Sequence, residues 1–311
     1  MNESNNEDLK LSEIIKVLYE GRRNIIYVTS LFLFISVGIS LYLKDQYKAE
    51  ILVAPSGIQG SSQGPSSSLS GIAGLAGISI GEFEGGTKIQ EAMEVIKSRK
   101  FISEFINKHE IKPAVVAAKS LDKISGDIVI NENIYDTEKK VWKKEISMQK
   151  TIEKFLKDNL EFNEDKKTGF ITISITTLSP TKSKEWVDSL LLDLNNFFRD
   201  QAVTEATTSL NYLKNQIAKA QLIEIRQSVF NLIQEQIKII TLAEGREEYL
   251  LRTLDPSVIP DEKTSPARTL ICIIGAFLGF LLSVIYLLLS HFSGYKLKYN
   301  FPFSLKIIPQ N

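Results

Sequence analysis

Ile25–Leu43 reads IIYVTSLFLFISVGISLYL and Leu270–Leu289 reads LICIIGAFLGFLLSVIYLLL, and neither stretch contains a charged residue. Each holds about 20 residues, which at about 1.5 Å per residue spans roughly 30 Å, the hydrocarbon thickness of a bilayer. Core helices of globular domains rarely stay uncharged for this long, so both stretches are read as transmembrane helices. A cleaved signal peptide is not expected for the first, because polar residues 1–24 precede it and no A-x-A site follows Leu43.

Two spans place both tails on one side. Arg22 and Arg23 precede the first span, and Lys296, Lys298 and Lys306 follow the second. Lys44, Lys48, Lys263 and Arg268 lie on the other flanks, so the bias is modest, yet it favours both tails in the cytoplasm. A long loop translocates whatever its charge, which puts the bulk of the chain in the periplasm of a bacterial inner-membrane protein. The expected organisation is a cytoplasmic tail (1–24), a first span (25–43), a periplasmic α/β base (44–178), a long helical segment (179–245), a return segment (246–268), a second span (269–290) and a cytoplasmic tail (291–311). The fold class expected is an α+β membrane protein with a long, coiled-coil-like helical extension.

Within the first tail, Leu9, Leu11, Ile14, Ile15 and Leu18 recur at helical spacing and predict a short surface helix. YKAEILVAP (Tyr47–Pro55), GDIVI (Gly126–Ile130) and GFITISIT (Gly169–Thr176) read as strands. The Gly/Ser-rich stretch over 56–87 lacks large side chains and reads as a flexible loop. Residues 88–108 have helical period, with Ala92, Val95, Ile96, Phe101, Ile102, Phe105 and Ile106 on the buried side, and 149–160 forms a short helix.

Ser179-Pro180 supplies an N-cap and a first-turn proline, and neither Gly nor Pro recurs until Gly245. One uninterrupted helix would reach about 96 Å, so a break is expected, with Asn195-Asn196 as a candidate. Val203, Ala206, Leu210, Leu213, Ile217 and Ala220 keep a 3-4 spacing, and the stripe then shifts to Leu222, Ile225 and Val229 and on to Ile233, Ile237 and Ile240. Such a stripe packs either on its own domain or, in a projecting helix, against neighbours.

Composition excludes several chemistries. The 311 residues carry 37 basic and 37 acidic side chains, so no nucleic-acid partner is expected. The single Cys272 lies inside an apolar run, so the soluble part has no disulfide. His109 and His291 are far apart in sequence, which argues against a histidine metal cluster or a catalytic triad. His109, just after a helix, is expected at the surface. GEFEGGTK (Gly81–Lys88) has the wrong residue order for a phosphate loop. The acids over 131–165 alternate with lysines and form no acid/base couple. No catalytic residue, cofactor or metal site is expected. Gly275 and Gly279 form a GxxxG in the second apolar run, which allows close helix packing.

Four segments together resemble the chain length determinant family of polysaccharide co-polymerases. The entry, DLKLSEIIKVLYEGRRNIIYVTSLFLFISVGISLYLKDQYKAEILVAP, is similar to the family's amphipathic helix, first span and Tyr-x-Ala strand. LAGISIGEFEGGTKIQEAMEVIKSRKFISEFI resembles its glycine-rich segment and following helix, and SPTKSKEWVDSLLLDLNNFFRDQA its lead into the long helices. The end, LIQEQIKIITLAEGREEYLLRTLDPSVIPDEKTSPARTLICIIGAFLGFLL, is the most specific. It joins Leu-Ala-x-x-Arg-Glu-Glu-Tyr to Asp255-Pro256, the spaced Pro260 and Pro266, Arg268 and a Gly-rich span.

The resemblance implies a non-enzymatic scaffold: a ring of identical subunits in the inner membrane that sets the modal length of polymer made by a partner polymerase on a lipid-linked glycan, as for lipopolysaccharide O-antigen. Leu210, Leu213, Ile217, Ile233 and Ile237 are the residues expected to pack the long helices or the oligomer. Kinase-fused relatives carry an ATP-binding domain after the second span, and the short tail here is not expected to hold one. A capsule-export adaptor is a close alternative. A two-span sensor is a third, disfavoured because neither tail is long enough for an output domain.

Overall fold

The computed structural model describes residues 17–56, 80–122, 124–217 and 222–292. It divides into two units, Met1–Lys44 with Ser265–Asn311, and Asp45–Thr264. Most of the amphipathic patch expected in the N-terminal tail, the loop over 57–79, Ala220 and the C-terminal tail from residue 293 lie outside the described residues.

The Asp45–Thr264 unit is built on an antiparallel four-stranded sheet in the order β6-β7-β1-β8, with β1 at Tyr47–Pro55, β6 at Leu160–Glu164, β7 at Ile171–Thr177 and β8 at Leu251–Asp255. Period-two alternation aims one set of side chains at the core. Ala49, Ile51 and Val53 of β1 lie opposite Ile175, Ile173 and Ile171 of β7, all six buried, and Leu160 and Phe162 of β6 continue the rows. A one-residue slip would turn all of them outward, so these pairs fix the register. On the rim Lys48 Nζ meets Glu161 Oε2 at 2.8 Å. The β6–β7 turn closes at Asp165, which accepts hydrogen bonds from Lys167 N–H and the Thr168 hydroxyl. Gly169 completes it at φ 69°, a conformation L side chains rarely adopt. Those donors hold the Asp165 carboxyl below its usual value.

Helices cover the sheet's apolar face. Ser98 ends the predicted 88–108 helix in the middle and starts a new one: it is extended at φ −67°, ψ 144°, and its hydroxyl accepts Phe101 N–H at 3.2 Å. The result is α2 (Ile80–Lys97) followed by α3 (Arg99–Lys108). The loop expected over 56–87 therefore stops short: residues 80–87 are helical, because once the apolar half from Ile89 onward is helical, adding residues costs propagation rather than nucleation. The same helix rules out a phosphate-loop backbone at Gly81–Lys88. α3 buries Phe101, Ile102, Phe105 and Ile106. Further elements are α4 (Lys112–Val116), β2 (Ala118–Leu121) paired with β3 (Ile128–Ile130), β4 (Tyr135–Asp136) paired with β5 (Val141–Trp142), and α5 (Met148–Lys154) with a π-helical turn over Phe155–Asn159.

The long helical segment is two helices, α6 (Pro180–Ile217) and α7 (Ile223–Glu244). The first half of α6 lies on the sheet and buries Ser183, Trp186, Val187, Leu190, Leu191, Leu194 and Phe198 at 3-4 spacing. Asn195-Asn196 does not break it. α7 starts afresh after Leu222, its extended N-cap at ψ 137°. Beyond the sheet α6 packs against α7, which returns alongside it.

The other unit holds α1 (Arg22–Tyr42) and α8 (Arg268–Phe292), both long and apolar enough to cross a membrane and mostly exposed along their length.

Candidate functional site

The α6–α7 hairpin offers the most extended surface among the described residues. At about 1.5 Å per residue α6 runs roughly 57 Å and α7 roughly 33 Å. Leu210, Leu213 and Ile217 on α6 and Val229, Ile233, Ile240 and Ala243 on α7 are partly or fully shielded. Ile237 is not: it is 48% exposed, and Ile223 and Phe230 precede it at heptad spacing on the same outward strip, with Ile225 and Leu232 on the opposite flank. The five candidate packing residues therefore divide, with Leu210, Leu213, Ile217 and Ile233 half-buried and Ile237 exposed. Sequence periodicity alone does not separate these roles, because α7 is apolar on too much of its circumference.

The base of the hairpin is tied down by Asn195, 3% exposed. Its side-chain oxygen accepts Leu250 N–H at 2.8 Å and Leu251 N–H at 2.9 Å, and its Nδ2 donates to Leu251 O at 2.9 Å. A helix-borne amide thus satisfies the backbone at the start of β8. Sequence reading missed this role, since an asparagine in an apolar helix resembles a break signal.

Asp193, two residues earlier, joins α6 to the end of α3. Its carboxylate meets Lys108 Nζ at 2.6 Å and His109 Nε2 at 2.9 Å, with its own side chain only 9% exposed. His109 caps α3 and rests its ring 4.8 Å from Phe105. It is therefore a half-covered joint rather than a free surface group. A shallow open groove of about 660 Å³ runs beside this joint between α3 and α6, lined by Lys100, Glu104, Asn196, Gln201 and Glu205 among others. Nearby, burial pushes the Tyr249 hydroxyl above the usual tyrosine value, and the Glu205 carboxylate adds to the shift. No group of three His, Cys, Asp or Glu side chains is placed to hold a metal among the described residues.

The return segment is anchored at both ends. Asp255 closes β8 opposite Leu52. After Pro256, the buried Ser257 donates its hydroxyl to Asp188 of α6. Past Pro260, Thr264 N–H donates to Gln46 O at 2.9 Å and Lys263 Nζ meets Asp45 Oδ1 at 3.2 Å. Pro266 and Arg268 open the other unit, Arg268 being the first residue of α8.

In that unit α1 and α8 pack antiparallel along a seam of small residues. A Cβ built on Gly275 would stand 1.7 Å from Ser36 Oγ and 2.6 Å from Ser36 Cβ. On Gly279 it would stand 2.7 Å from Phe32 Cβ and 3.1 Å from Thr29 Cα. Ser36, Ser40 and Ser283 are buried along the same seam. Both glycines therefore face the chain's own first helix, which allows the close approach that helix pairs in lipid depend on.

Along the chain, two apolar helices flank a mixed helix and sheet domain that carries a long helical hairpin. Residues 7–109 match the family model described as Chain length determinant protein. That match runs from the N-terminal tail through α1 and β1 to the end of α3. A solved structure titled full-length bacterial polysaccharide co-polymerase aligns over 91% of this chain and 98% of its own, at 12% identity and a TM-score of 0.35, a likeness too loose to define the fold. No curated protein matches the chain significantly.

Proposed function

We propose that this chain is a non-enzymatic inner-membrane scaffold that regulates the chain length of a surface polysaccharide, such as a lipopolysaccharide O-antigen, together with a membrane-embedded polymerase. The observation that carries the reading is the chain length determinant match over residues 7–109, which takes in the first apolar helix and the strand that follows it. The mixed helix and sheet domain between two apolar helices supports it. In this reading α1 and α8 span the inner membrane, both termini are cytoplasmic and the Asp45–Thr264 unit is periplasmic. The chain acts as a homo-oligomeric ring, with the outward Ile223, Phe230 and Ile237 strip available for contact between copies.

Physically, length control requires a surface that holds a polymerase or a lipid-linked glycan for a limited time beside the membrane where the polymer grows. The hairpin and the groove at its base are the extended surfaces on offer. A reporter active only in the periplasm should work when fused within residues 110–170 and be silent after Asn311; the reverse pattern overturns the topology. Deleting the gene should broaden the polymer's length distribution while total glycan changes less. An unchanged distribution overturns length control, and complete loss of surface polymer favours the capsule-export adaptor instead.

A further inference from the structure

The groove between α3 and α6 has a fixed shape and a definite chemistry. Both walls are helices held on the core, and Asp193 ties them together through Lys108 and His109. From Asp193 to Glu205 the α6 wall advances twelve residues, roughly 18 Å. Phe101, Phe105 and Phe197 line it. Phe197, half-buried, stands nearly perpendicular to Phe101 at 6.0 Å and to Phe198 at 5.4 Å, so its neighbours set its ring orientation.

The polar groups beside these rings are mixed, and much of their bonding capacity is unused. The side chains of Lys100, Glu104 and Asn196 have no hydrogen-bond or ion-pair partner among the described residues. Gln201 donates to Glu205 at 3.0 Å and Thr204 to Asp200 O at 2.7 Å, and both keep a side-chain oxygen that can accept. Four carboxylates line the groove, at Glu104, Asp193, Asp200 and Glu205, against two ammonium groups, at Lys100 and Lys108. Lys108 answers Asp193, and Arg199 answers Asp200 at 3.3 Å, which leaves Glu104 and Glu205 against Lys100.

We propose that this groove binds a run of uncharged sugar residues of the polysaccharide. The inference rests on the reading that the chain handles a polysaccharide, and adds to it a site and a charge class. A sugar ring combines apolar C–H faces with hydroxyls that both donate and accept. Fixed phenyl rings beside ammonium, amide and carboxylate groups match both parts, and a preformed cleft with a few placed polar groups is the usual form of a ligand site. The excess of carboxylates repels a polyanionic glycan. A second copy of the chain fits less well, because interface cores are depleted of charged side chains and six line this groove. A hydroxylated ligand leaves those charges hydrogen-bonded and partly wet.

The test uses full-length protein in deuterated detergent and, as probe, the cell's own surface polysaccharide, freed of lipid by mild acid and fractionated by size. Saturating the protein in a magnetic-resonance experiment should transfer signal to the ring C–H protons of the polymer. Phe197→Leu, which keeps an apolar side chain where the ring packs, should lower the transfer several-fold. So should Glu104→Ala with Asn196→Ala, which removes no bond within the protein and should leave thermal unfolding unchanged. Sulfating the same polymer should also lower it. Wild-type transfer that both variants retain overturns the groove and leaves length control standing. Absence of transfer to the wild type also overturns the groove, and length control is then decided separately by the polymer ladder of the deletion strain. Equal or stronger transfer to the sulfated polymer overturns the uncharged class. Failure of a maleimide to label Thr204→Cys in Cys272→Ala protein without polymer would mean that another copy covers the groove, and overturns the proposal as well.

Discussion

Gly275→Ala tests the α1–α8 contact at a single added carbon. The new Cβ would lie 2.6 Å from Ser36 Cβ, a carbon that no side-chain rotation can move. Relaxed carbon contacts sit at about 3.5–4.0 Å, so the helices must part locally by about 1 Å. Overpacking of a close contact costs about 1–3 kcal/mol, and packing is the main attraction between helices in lipid. Ser36→Gly removes both clashing atoms, and the next nearest, Phe32 O, stands 3.6 Å from the new methyl, an ordinary contact. The double variant should therefore recover wild-type spacing, with a coupling of the same size and opposite sign. The assay is a pulsed electron-spin distance between labels at Phe34→Cys and Phe277→Cys, which are 73% and 61% exposed, in a Cys272→Ala background. Gly275→Ala should lengthen and broaden the distribution, Gly275→Leu more so, and Ser36→Gly should restore the alanine variant. Unchanged distances in Gly275→Leu, or no restoration by Ser36→Gly, would refute the seam.

Asn195→Leu removes three hydrogen bonds to Leu250 and Leu251 and leaves their backbone groups buried and unpaired, so thermal unfolding should show a loss of about 1–3 kcal/mol or more. Ile173→Ala, at the centre of the β1–β7 rows, should cost about 2–5 kcal/mol in the same assay. Ile237→Ser should leave the melting of the isolated chain nearly unchanged while lowering native oligomer mass in detergent, whereas Ile233→Ser at a half-buried position should lower the melting itself. Asp165→Asn should destabilise near neutral pH only. The folded carboxyl titrates below its ordinary value, so its contribution is present above that value and disappears as pH falls through the folded one; a wild-type advantage that persists in strong acid would contradict this.

The parts of the fold legible in the sequence are those with strong periodicity. Tyr47–Pro55 and Ile171–Thr177 announce themselves by alternation, and the two uncharged runs by length. The start of α7 is harder to place, because Leu222, its extended N-cap, is neither Gly nor Pro nor a polar capping residue. β8 was missed as a strand: Leu251–Asp255 is an edge strand with only Leu251 buried, so tertiary pairing with β1 decides it rather than local pattern. The division at Ser98 depends on a cap hydrogen bond, and serine inside a helical pattern carries that signal only weakly. At the candidate site, the GxxxG showed which residues come close but not that the partner would be Ser36 and Phe32 of the same chain. The joint of Asp193 with Lys108 and His109 brings together groups more than eighty positions apart, and a single sequence holds no signal for that.

Length control is tested most directly by titration. A deletion strain carrying the gene under an inducible promoter is grown at graded induction, and its surface polymer is separated by size on a gel. The account predicts a random-looking ladder without the protein and a modal band that grows in as the protein accumulates, with total glycan nearly constant. A ladder that keeps one shape at every level of the protein would contradict it.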